Sequence, residues 1–192
     1  MIIDTPDPEA ATGHVARMYA DDIESDGAVF SHTRAMAVNP EAHQAFEALL
    51  GAVITSLGVR VYELATLGAA RSIGSPHCLL AHGRKTLRAG VMDESQLIRL
   101  ARDPHSAGLS EADVAVMDFA AKLSADPQDM TDADALRLRQ RGFTDRQIAD
   151  IALAAAARNL LSRYLLALSV PVDEVPGLSR EVSEALLTPI DR

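Results

Sequence analysis

One cysteine, Cys78, stands four residues before His82 and one after His77, and Glu63 lies upstream in an otherwise apolar helical pattern. These residue types can do chemistry together. A thiol, an imidazole and a carboxylate make a nucleophile, a base and a group that orients the base. The local sequence predicts where the thiol sits. Gly74-Ser75-Pro76 breaks the pattern. Glycine closes a helix in the left-handed conformation, serine caps the next one with its hydroxyl, and proline fits the first helical position. Cys78 then falls in the first turn of the second helix, where unpaired amides favour a thiolate over a thiol. His82, one turn on, shares the face of Cys78 and is placed to bond the sulfur or take its proton. His77 points about 100° away. Glu63 joins only if the preceding helix folds back. Ser75 reads as a helix cap.

Taken singly, each residue has a plainer reading. A lone cysteine is most often a small buried hydrophobe, His82 a structural or surface histidine, Glu63 a solvent-facing acid, and His77 a surface residue. Arg71, Arg158 and Arg163 read as ion pairs or solvated helix faces, although they could also hold an acidic substrate. Cys78 and His82 have a spacing that suits two ligands of one metal, with Glu63 as a third. No second Cys/His cluster supports that site, so no metal and no cofactor is expected. No glycine-rich phosphate loop is present.

The order Glu63, Ser75-x-x-Cys78, His82, Gly90 resembles the alkylhydroperoxidase D-like (AhpD-like) and carboxymuconolactone decarboxylase-like superfamily. Its motif reads Glu, Cys-x-x-Cys, x-x-x-His. Glu63, His77, Cys78 and His82 match the glutamate, inner histidine, second cysteine and distal histidine of the peroxidase branch, and Ser75 stands at its first cysteine. Thr12-Gly13-His14-Val15 to Tyr19 is similar to the family's N-terminal helix, and Ala157-Arg158-Asn159 through Pro171-Val172-Asp173 to the tail of its longer, peroxidase-related members. The resemblance implies an all-α bundle with the motif on two antiparallel helices. It also implies self-association as a dimer, trimer or hexamer. It implies Cys78, His82, Glu63 and His77 as catalytic residues of a peroxidase-like oxidoreductase acting on a small peroxide. A dithiol attacks a peroxide and then resolves its own sulfenic acid. This chain can do the first step only, so it needs an external thiol, a second subunit's Cys78 or another reaction. Two alternatives stand beside this one. The first is acid–base chemistry on a small organic acid, with Glu63 and His82 moving protons. The second is a helical oligomeric binding protein whose site has decayed.

The elements that must position these groups are helical throughout. The chain has 192 residues, 48% hydrophobic and 4% aromatic, enough for one domain with a substantial core. We expect a single all-α domain over 1–192, with the AhpD-like core at about 30–170 and helical extensions at both ends. Expected helices run from Glu9 to Ile23, Phe30 to Val38 and Glu41 to Ser56. The motif helices follow at 59–73 and 76–89, then Asp93 to Ala101, Ser110 to Ser124, Thr131 to Gly142 and Thr144 to Ser169. A final amphipathic segment at 179–187 reads as a cover for a partner subunit. An offset of 87 residues aligns Glu63, Arg71 and Ser75 with Asp150, Arg158 and Ser162, which suggests two similar helix pairs.

The net charge of -9 argues against nucleic acid and against an anionic membrane surface. A single cysteine rules out an internal disulfide framework and suits a reducing compartment. The start of the chain lacks the basic and apolar regions of a signal peptide, and the uncharged stretch Ala48 to Val59 is too short to span a bilayer. A cytoplasmic protein is therefore expected.

Overall fold

Side-chain caps and glycines set the helix boundaries in the computed structural model, which describes residues 1–188. The end of the expected domain, 189–192, lies outside them. Among the described residues nine α-helices occur: α1 Gly13–Asp26, α2 Ser31–Met36, α3 Pro40–Ile73, α4 Pro76–Arg88, α5 Glu94–Arg102, α6 Glu111–Ala125, α7 Asp132–Gln140, α8 Asp145–Ala167 and α9 Arg180–Leu187. Asn39 caps α3, and Ser179 caps α9. Capping boxes open α5 (Asp93 with Gln96), α6 (Ser110 with Asp113) and α8 (Thr144 with Gln147). Each such cap satisfies amides the helix leaves unpaired. The start of α1 lies later than its apolar pattern suggests. Asp7 accepts from the backbone of Glu9 and Ala10 and holds that stretch in a turn.

α3 is two helices in one. Gly58, at φ 73° and ψ 159°, breaks the rod at the boundary the sequence marks, in a region of backbone space open essentially to glycine alone. The second half is buried without interruption from Tyr62 to Ala70. A helix apolar on all sides belongs at the centre of a bundle, and α3 packs mainly on α6 and α8, with α4 folded back against it. By length and composition alone α3 could cross a membrane, a longer apolar stretch than the uncharged run suggests. Beyond the break at Gly58 its second half is enclosed in the bundle, although only 33% of the apolar stretch is buried.

Two expectations are corrected here. α9 does not wait for a partner subunit: it packs on α4 and α5 of its own chain, burying Val182 and Leu186. The offset repeat does not produce a second helix corner. Ser75 begins α4, whereas Ser162 lies inside the continuous helix α8, because no Gly-Ser-Pro break follows Arg158.

Two ion pairs fasten the periphery. Arg84 on α4 forks onto Asp26 at the end of α1, and Arg60 on α3 binds both oxygens of Asp113 at 3.1 and 2.8 Å. Burial by itself would raise both carboxyls. The bonds from Arg84 and Ser25 to Asp26, and from Arg60 and Ser110 to Asp113, outweigh it and hold both below the usual range.

Candidate active site

The corner between α3 and α4 forms as its sequence dictates. Gly74 takes the left-handed conformation at φ 70°, the Ser75 amide donates to the Ala70 carbonyl, and Pro76 opens α4. Ser75 occupies the cap position but does not cap. Its hydroxyl makes no bond to the helix amides and is buried without a partner. The physical reason is packing: Ser75 is fully enclosed, and the side chain fills interior space instead of turning to the helix end.

Cys78 is buried at 2% exposure in the first turn of α4. Its partner is the hydroxyl of Ser162 on α8, at 3.3 Å from the sulfur. His82 and Glu63 do meet, across the two antiparallel motif helices, with His82 Nδ1 2.7 Å from Glu63 Oε2. The other ring nitrogen faces Arg158, whose Nη1 donates to His82 Nε2 at 3.0 Å. Arginine has only donors, so Nε2 carries the lone pair. The proton sits on Nδ1 and is donated to Glu63. His82 is therefore neutral, between a buried anion and a buried cation. Burial, helped by Arg158 and opposed by Glu63, lowers its pKa to about 4. With both nitrogens engaged, His82 does not bond the sulfur, which corrects the simplest reading of the one-turn spacing.

His77 is placed apart from this chain of bonds. Its Nε2 donates to the Pro171 carbonyl at 3.0 Å, and its Nδ1 is buried without a partner. Tyr62 presents an edge to the His82 ring, at 6.1 Å between centroids, and the Arg158 guanidinium lies 5.7 Å from the centre of the Phe46 ring.

These groups border a cavity of about 240 Å³ lined by Cys78, His82, His77, Lys85, Arg158 and Tyr62, among others. A second cavity of about 330 Å³ shares His32, His77 and Lys85 with it. Lys85 borders both cavities and is exposed to solvent. Partial desolvation beside the cavities, opposed by Glu63 and helped by Arg158 and Arg84, lowers its pKa. Burial and the neighbouring His77 and Lys85 push His32 to about 4.

Three groups escaped the sequence reading. Arg158 was visible as a cation with no assigned partner. Ser162 surfaced only through the offset alignment. Two histidines and an acid also converge: His14, His43 and Glu47 are the one metal-capable group of at least three among the described residues, so Cys78, His82 and Glu63 do not form such a group. The spacing of His43 and Glu47, one turn apart on α3, was available; the approach of His14 was not.

The neutral histidines make stability depend on pH in a definite direction. Between about pH 6.5 and pH 4 the unfolded chain binds protons at positions 82 and 32 that the folded chain refuses. Stability is then full above pH 6.5 and falls as pH drops through that window, at up to about 1.4 kcal/mol per group per unit. Urea melts at pH 7, 6 and 5 should show falling midpoints. Equal midpoints would mean that both rings stay solvated or charged in the native state.

A helical bundle with a buried thiol, and a carboxylate–imidazole pair bridging two antiparallel helices, defines an AhpD-like architecture. Residues 40–122 match the carboxymuconolactone decarboxylase family. The fold is similar to that of an alkylhydroperoxidase AhpD core, a peroxidase-related protein from Ralstonia eutropha JMP134. The TM-score is 0.79 at 21% identity, covering 98% of this chain and 96% of that one. A peroxidase-related protein from Silicibacter sp. TM1040 gives a TM-score of 0.70 at 23% identity, over 90% of this chain and 91% of that one. The debrominase Bmp8, bound to 2,3,4-tribromopyrrole, gives 0.74 at 16% identity, over 97% and 96%. No curated protein matches the sequence significantly. The chain thus carries a carboxymuconolactone decarboxylase-like segment within a fold similar to that of these AhpD-type structures.

Proposed function

We propose that the chain is a peroxidase-related thiol oxidoreductase in which Cys78 is the nucleophile and an external small thiol is the reductant. The observation that carries this reading is the position of the sulfur. It borders a cavity, beside a hydroxyl able to donate to a thiolate, in the first turn of a helix. The Cys78 thiolate attacks the terminal oxygen of a hydroperoxide. An S–O bond forms, the O–O bond breaks, and sulfur is oxidised to a sulfenic acid. The departing alkoxide takes a proton. Lys85 is suited to give it, since its lowered pKa makes it a better acid than an ordinary lysine. One molecule of external thiol then condenses with the sulfenic acid, releasing water and leaving a mixed disulfide. A second thiol displaces Cys78 and leaves as a disulfide with the first. The His82–Glu63–Arg158 chain serves as a positioning unit for the wall behind the sulfur.

The test is trapping of sulfenic acid at Cys78 with a dimedone-type reagent after hydrogen peroxide or an organic hydroperoxide, with Cys78→Ala as the blank. Rapid labelling of Cys78 is expected. Ser162→Ala should slow it by about tenfold or more, the effect of removing a hydrogen bond to a charged group. Absence of labelling with either peroxide would sink the reading.

A second reading is favoured by one observation: His82 bonds Glu63 and Arg158 and not the sulfur. An oriented neutral imidazole beside a buried cation suits proton transfer on a small organic acid, and Cys78 would then be dispensable. Turnover of such an acid retained in Cys78→Ser would establish it. Self-association belongs to both readings. Exposed Leu153 and Leu160, two turns apart on α8, support it, and light scattering that returns a monomer at micromolar concentration would refute it.

A further inference from the structure

We propose that His14, His43 and Glu47 form a binding site for a divalent transition-metal ion of the zinc type. His14 lies near the start of α1, and His43 and Glu47 one turn apart near the start of α3. One ligand atom from each lies within 4.8 Å of the others. The two imidazoles meet most closely, with His14 Nε2 2.9 Å from His43 Nδ1. Two neutral rings in that position share a single proton. An ion replacing it would bind both lone pairs at once. On a tetrahedral ion with N–metal bonds of about 2.0–2.1 Å, two nitrogens stand about 3.4 Å apart. The rings therefore need to part by only about half an ångström.

The donor set selects the class of ion. Two imidazole nitrogens and a carboxylate oxygen suit zinc, cobalt, nickel or iron(II), not magnesium or calcium, which take all-oxygen shells. The Glu47 side chain is 61% exposed, so its carboxylate is able to swing onto the ion without disturbing the core. Three protein ligands leave a fourth position open. His43 and Glu47 also line the cavity that Cys78 borders, so the open position belongs to the same solvent space. The ion would have a structural effect too. α1 is anchored mainly by a small apolar cluster of Met18, Tyr19 and Ala37, separate from the main core. A His14–metal–His43 bridge would tie it directly to α3, with the wall of the cavity that Met18, Asp21 and Asp22 provide.

Calorimetric titration of the chelator-treated full-length protein with zinc chloride tests this. One saturable Zn²⁺ per chain is expected, with a rise in thermal midpoint on saturation. His14→Ala and His43→Ala should each weaken binding by about 100-fold or more, since loss of even an outer partner costs 10–100-fold, and should abolish the thermal shift. Cys78→Ala should bind as the wild type does. Cobalt(II) should give a spectrum without a thiolate charge-transfer band. The melting curves without metal establish that each variant is folded. No saturable binding, binding that survives both histidine variants, or binding lost with Cys78 would each overturn the site.

Discussion

Replacing Arg158 by methionine is expected to turn His82 from a neutral imidazole towards a charged one. In the native protein the guanidinium stands 3.0 Å from Nε2 and supplies the hydrogen bond that this nitrogen accepts. Burial and Arg158 both work against a second proton on the ring, and Glu63, 2.7 Å from Nδ1, works for it. Removing the cation leaves Glu63 as the dominant charge beside the ring, opposed only by Lys85. The His82 pKa should then rise by about one unit or more, each unit being about 1.4 kcal/mol of differential interaction. Stability should fall as well, by about 3 kcal/mol or more, because a buried carboxylate has lost its compensating charge. Nitrogen-15 spectra of the imidazole report the tautomer directly. Wild-type His82 should show a protonated Nδ1 and a bare Nε2 down to about pH 5, and the variant should gain the second proton above that. A variant spectrum identical to wild type would remove Arg158 from the electrostatics of the site. Loss of packing against Phe46 also contributes to the stability change, so the spectrum and not the melt decides the question.

The second large effect is steric. Gly68→Val should destabilise the fold by about 3 kcal/mol, near the upper end of ordinary overpacking. A Cβ at position 68 would stand 2.7 Å from the Met117 carbonyl oxygen and 3.0 Å from its Cα. Those are backbone atoms of α6, so relief requires the two central helices to part. Gly51 is the matched control. It lies in the outer half of the same helix with nothing within 4 Å of its Cβ position. Gly51→Ala should stabilise by about 0.5–1 kcal/mol, through helix propensity and a less flexible unfolded chain. Chemical denaturation of both variants measures the difference. A Gly68→Val protein as stable as wild type would show that α3 and α6 slide past one another freely.

The helix boundaries were legible because they are written in local chemistry. Asn39-Pro40, Gly58, Gly74-Ser75-Pro76, Ser110 with Asp113 and Thr144 with Gln147 each act within a few residues, and each stands where a boundary forms. The Glu63–His82 contact was legible for a similar reason, since it spans only 19 residues across one tight corner. Ser162 and Arg158 reach the site over 84 and 76 residues. Their arrival depends on how α8 docks against α3, which no local pattern specifies. The failure at Ser75 has a different origin. Capping propensity describes a serine at an exposed helix end, and this end is sealed inside the bundle, where packing overrides it. The assignment of α9 to a partner failed for want of knowledge of which apolar surface was nearest.

The orphaned hydroxyl of Ser75 bears on what else that position can hold. A fully enclosed O–H without an acceptor is a standing desolvation cost, whereas a thiol of nearly the same shape tolerates apolar burial well. Serine and cysteine are a single nucleotide apart in the genetic code. The interior therefore accepts a thiol at position 75 at least as well as the hydroxyl it holds.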